Sequence, residues 1–173
     1  MDETEPVALC ATDAAILMER ELRQAGAAAA AGDVEGVLDG DVRALGLALQ
    51  LGPGAAGQAL RAILDGAAAL GRQPQGEEAL AALGPALVDV VERVRESEGW
   101  PGRLSAAAME AWASVAEDVA ATIGQVGLAL SLPAERRTGL LDGARRRAGL
   151  LDEATGGGFG LKAWLEEAER WNV

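Results

Sequence analysis

Apolar residues recur along this chain at alternating three- and four-residue steps, the period of one face of an α-helix. The longest run is Leu104, Ala108, Ala111, Val115, Val119, Thr122, Val126 and Leu130, with Glu110, Glu117 and Asp118 falling off the stripe. It predicts a central helix over about 103–131, roughly 40 Å long at 1.5 Å per residue. Leu80, Leu83, Leu87, Val90, Val91 and Val94 predict a helix over 77–97, in which Pro85 marks a kink or a later true start. Leu60, Ile63, Leu64 and Leu70 predict one over 55–70, and Val37, Leu38, Val42, Leu45 and Leu49 one over 34–51. A first helix starts from a cap at Thr12 or Asp13 and runs through Ile16, Leu17 and Leu22 to Ala31. Leu140, Leu141, Ala144, Ala148 and Leu151 share a stripe over 133–154, and Trp164, Leu165, Ala168 and Trp171 share one over 161–171.

Glycine and proline separate these segments. Gly32-Asp33 and Gly52-Pro53-Gly54 read as stops, the stretch 71–76 as a mobile loop, and 155–160 as a flexible hinge. The expected fold is therefore an all-α, single-domain bundle of six or seven helices, arranged as antiparallel hairpins around the long central helix. Residues 1–154 form the bundle, and 155–173 a Gly-rich hinge with a short Trp-bearing terminal helix. Leu-Asp-Gly occurs at 38–40, 64–66 and 141–143, at spacings too unequal for a solenoid repeat.

Composition supports the helical reading and narrows the chemistry. Half of the 173 residues are apolar, with one Phe, no Tyr and four Trp. Core volume must then come from Leu, Val, Ala and the four Trp, and Ala and Leu are strong helix formers. The net charge is −12, and residues 1–100 carry 17 acidic against 7 basic side chains, a net of −10. Such a surface repels phosphate, so direct nucleic-acid binding is not expected. No uncharged stretch is long enough for membrane insertion. The acidic opening Met1-Asp2-Glu3-Thr4-Glu5 is unlike a secretion signal, so a cytoplasmic location is expected, or export without a cleavable signal. A single lysine and the Ala/Gly load suggest a GC-rich bacterial genome.

There is no His, and Cys10 is the only cysteine. That removes the usual general base, the Ser–His and Cys–His nucleophile pairs, and zinc clusters. No metal, cofactor or catalytic residue is assigned. The Gly-rich stretch before Lys162 lacks the Ser or Thr of a phosphate loop. Asp33, Glu35, Asp39 and Asp41 form a local acidic cluster without calcium-loop spacing.

Two sets of residues remain as candidate sites. A tethered amphipathic helix with paired Trp suits docking on another protein, which assigns partner contacts to Phe159, Trp164, Leu165, Ala168 and Trp171. Gly/Ala-lined helices beside a Trp suit an apolar ligand, which assigns ligand contacts to Trp100, Trp112, Gly124 and Gly127. Trp100-Pro101-Gly102 between two amphipathic segments also resembles the Trp-x-Gly turn of the WXG100 proteins, helical hairpins exported by type VII secretion. The resemblance covers about 77–131 and implies a secretion-associated role, although a chain without Tyr lacks that family's Tyr-x-x-x-Asp/Glu export signal.

The function expected from these features is non-catalytic. The chain reads as an acidic protein-interaction or assembly module whose partner is another protein or a second copy of itself. An apolar-ligand-binding bundle is the alternative, and a WXG100-like protein the further one.

Overall fold

A computed structural model describes residues 11–97, 106–157 and 159–171. Within them lie seven helices and no strand: α1 (Ala11–Ala31), α2 (Val34–Leu51), α3 (Pro53–Gly71), α4 (Gly76–Glu96), α5 (Ala106–Leu130), α6 (Ala134–Ala154) and α7 (Leu161–Ala168). The all-α bundle is as expected. Trp100-Pro101-Gly102, Cys10 and Leu104 fall outside the described residues.

Local chemistry sets most helix ends. Asp33 caps α2 by accepting a hydrogen bond from Gly36 N at 3.1 Å. Gly52 alone separates α2 from α3, whose first residue is Pro53. Gln75 adopts a left-handed φ of 64° ahead of α4. The 71–76 loop is tied down: Gln73 Nε2 donates to Ala29 O, and Arg72 pairs with Glu167. Helix α4 continues through Pro85, so this residue does not mark a later start.

The most extensive interface joins α4 to α5, followed by α1 to α2. Both pairs run antiparallel. Arg95, near the end of α4, pairs with Glu110 and Glu117 in the first half of α5. Gly127, near the end of α5, sits against Glu77 and Ala81 at the start of α4. At mid-length, a Cβ on Gly84 would lie 2.7 Å from Gly124 Cα, so the two backbones touch. Similarly, Gly40 of α2 rests on Glu21 and Ala25 of α1.

That close approach corrects the predicted stripe of α5. The buried positions are Met109, Ala113, Ala116, Ala120, Ile123, Gly127 and Leu130, with Val119, Thr122, Val126 and Ala129 also buried. Ala111 is exposed, and Ala108 and Val115 are half-buried. Helix α5 packs against α4 on one side and against α3, α6 and α7 on the other, so it carries two apolar faces. Leu140 is a second correction. It is 42 % exposed, because Leu141 takes the inward position. Leu80, Leu83, Leu87, Val90, Val91 and Val94 are all buried as expected.

The three Leu-Asp-Gly segments have different surroundings. Gly40 is a close contact, Gly66 only reaches Ala29, and nothing lies within 4 Å of a Cβ built on Gly143. They share helix chemistry and no common role.

Helix α7 closes the bundle. Trp164 donates from Nε1 to Leu64 O at 2.9 Å, and its ring meets Trp171 edge-on at 5.4 Å between centroids. Arg137, buried at the start of α6, donates to Leu132 O at 3.1 Å, Trp171 O at 2.9 Å and Leu130 O at 3.4 Å. One guanidinium thus ties the ends of α5 and α7 to the start of α6. Arg137→Ala leaves buried carbonyls unpaired and should lower stability by about 2 kcal/mol, read by urea unfolding. A loss below about 0.5 kcal/mol would mean that water replaces the guanidinium there.

Candidate small-molecule cleft

The helix packing leaves one cleft with aromatic walls. Helix α3 contributes Gly57 and Arg61, one turn apart on one face. Helix α5 contributes Trp112, Val115 and Asp118 along one face, and α6 adds Arg147, Leu150 and Leu151. Phe159, just before α7, closes one end. The cleft holds about 750 Å³, within the usual range for organic ligands.

Gly57 shapes the floor. A Cβ there would sit 3.1 Å from Trp112 Cη2, so the missing side chain lets the indole lie across α3. Trp112 stays half-buried and lines the cleft. Leu150 stands on the rim and is 69 % exposed, the most exposed large hydrophobic residue among the described residues.

The segment after α6 holds Phe159 in place. Gly156, Gly157 and Gly160 take φ values of 79°, 79° and 76°, which side-chain-bearing residues rarely adopt. Gly157 N donates to Asp152 O at 2.6 Å. The Asp152 carboxylate accepts from Leu161 N at 2.8 Å and Lys162 N at 3.0 Å, so it caps α7 from a distance. Arg61 Nη1 donates to Phe159 O at 2.6 Å, fixing the segment to α3. Hydrogen bonds thus hold Gly157 to α6 and Phe159 to α3.

Polar groups are few. Arg147 Nη1 donates to Gln125 Oε1 at 3.2 Å. Burial pushes the Asp118 carboxyl above its ordinary value, and the nearby Arg147 charge partly opposes the shift. Ser114 is the only hydroxyl beside them apart from Thr155. Nothing in this lining pairs a nucleophile with a base. Among the described residues no cluster of three potential metal ligands occurs. The acidic cluster on α2 is dispersed, with Asp33 capping the helix and Asp41 buried in the bundle.

The structure redistributes the candidate residues. Phe159, Trp164, Leu165, Ala168 and Trp171 all turn into the core, each no more than 9 % exposed. Trp112 and Phe159, from different candidate sets, meet in the cleft. Gly124 lines a separate groove between α4 and α5, beside Pro85 and the exposed Leu128. Gly127 lies beneath the α4 backbone, and Trp100 is outside the described residues. Gly57, Arg61 and Leu150 were not among the candidates from sequence. Their shared site depends on which helices pair, and no local pattern encodes that. No described helix is long and apolar enough to cross a membrane. Comparison with known proteins gives this chain no relatives: no family model, no curated protein and no solved structure matches it.

Proposed function

We propose that this protein is a non-catalytic helical bundle that binds a small, largely apolar organic molecule in the cleft between α3, α5 and α6. The observation that carries the proposal is the half-buried Trp112 ring lying over Gly57 in an apolar cleft of about 750 Å³. An aromatic wall with a few polar groups at its edge is the usual form of a small-molecule site.

Docking on another protein through the terminal helix has a larger energetic cost. Trp164 and Trp171 would have to leave the core, and exposing large side chains of this kind costs about 1.5–3 kcal/mol each. The Trp164 hydrogen bond to Leu64 O and the Arg137 bond to Trp171 O would be lost as well. The cleft offers its apolar surface without any such rearrangement.

Titration with N-phenyl-1-naphthylamine, a neutral fluorescent apolar probe, tests the proposal. The expected result is saturable binding at one site, weakened at least tenfold by Trp112→Ala in a variant whose helical circular dichroism is unchanged. Absence of saturable binding, or equal binding by the variant, would overturn it.

A further inference from the structure

The chain has far more acids than bases, 27 against 15, so an arginine beside a cleft has carboxylates to pair with. A second cleft, between α1, α2 and α4, shows that outcome. Its arginines are Arg43, 3.8 Å from Glu21, and Arg93, 3.3 Å from Asp89. The Trp112 cleft differs. Arg61 and Arg147 both line it, and neither has a carboxylate within ion-pair distance among the described residues. Each spends one nitrogen on a neutral acceptor, Phe159 O for Arg61 and Gln125 Oε1 for Arg147. Each guanidinium has five N–H donors, so several remain for a ligand.

From this juxtaposition we infer that the natural ligand is an amphipathic monocarboxylate, its apolar body on Trp112 and Phe159 and its carboxylate at Arg61 and Arg147. This inference rests on the proposed function above. A guanidinium matches a carboxylate in shape as well as charge, and the bond strengthens where water is partly excluded. The charge count favours a monoanion. Two guanidiniums and the Asp118 carboxylate leave one net positive charge in the lining. A doubly charged phosphate would exceed that balance and be repelled by Asp118. Leu150, exposed on the rim, extends the apolar surface outward for the ligand's tail.

Competition for the bound probe separates the two levels of the inference. Dodecanoate and dodecanol, kept below their aggregation limits at pH 8, share a tail and differ in the head. Dodecanoate should displace the probe at a concentration at least tenfold lower than dodecanol. That preference should shrink severalfold in Arg147→Gln and in Arg61→Gln, with dodecanol displacement unchanged in Arg147→Gln. Equal displacement by the two compounds overturns the carboxylate assignment and leaves the apolar site standing. A preference for dodecanoate that persists unchanged in both arginine variants places the head group elsewhere and overturns it too. If the probe does not bind at all, the proposed function fails first.

Discussion

Between pH 8 and pH 5 the folded protein should gain about 4 kcal/mol of stability, and Asp41→Asn should abolish most of that gain. Asp41 lies within α2, is 2 % exposed, and its Oδ2 has no hydrogen-bond partner among the described residues. Burial alone pushes its pKa from 3.8 to about 8. The folded chain therefore keeps this proton up to about pH 8, while the unfolded chain releases it near 3.8. Between those limits the folded state binds one more proton than the unfolded state. The contribution is fully present below the lower limit and is lost as pH rises toward the upper one, at about 1.4 kcal/mol per pH unit. Asp118, also raised by burial, adds a smaller effect of the same sign. Urea unfolding of both proteins at pH 5, 6, 7 and 8 reads the slopes. Parallel slopes would mean that Asp41 meets water or a cation in the folded state.

The second large effect is steric. Gly127→Ala should destabilise the bundle by about 3 kcal/mol, the upper range for forcing atoms into a packed interface. A Cβ there would overlap Ala81 N and come within 2.8 Å of Glu77 O and Leu80 C, all backbone atoms of α4. No side chain can move aside, so α4 and α5 would have to separate. Gly143→Ala is the matched control, since nothing lies within 4 Å of its Cβ. That change should stabilise α6 by about 0.5–1 kcal/mol through helix propensity and reduced freedom of the unfolded chain. Denaturation midpoints that shift in opposite directions for the same chemical substitution would confirm the difference. A tolerated Gly127→Ala would show that the helices do not approach this closely.

These two glycines also show where sequence and structure part. Both lie in amphipathic helices, and no local pattern separates the packed one from the open one. Helix boundaries were legible because caps and breakers act locally: Asp33 starts α2, Gly52 and Pro53 divide it from α3, and the stripe from Leu80 to Val94 marks α4. The face of α5 toward α4 was less legible. Its closest contacts are made by Gly127, Gly124 and Ala120; the two glycines mark a close-contact notch in the sequence, but the stripe of larger apolar residues does not show which helix fills it. The cleft was legible only in pieces, Trp112 in one candidate set and Phe159 in the other. Arg61 and Phe159 are 98 positions apart, and their hydrogen bond exists only because α3 packs beside α7.

The antiparallel contact of α4 and α5 bears on the order of assembly. Its partners are close in sequence and bury apolar surface early for little loop-closure entropy, which suits them to nucleate folding. Contacts between α7 and α3 span about a hundred residues, as in the Trp164 bond to Leu64, and suit a late step. Phe159 reaches its place with α7, so the cleft is completed after most of the core has formed. A ligand would then bind only chains that have finished folding and would slow their unfolding.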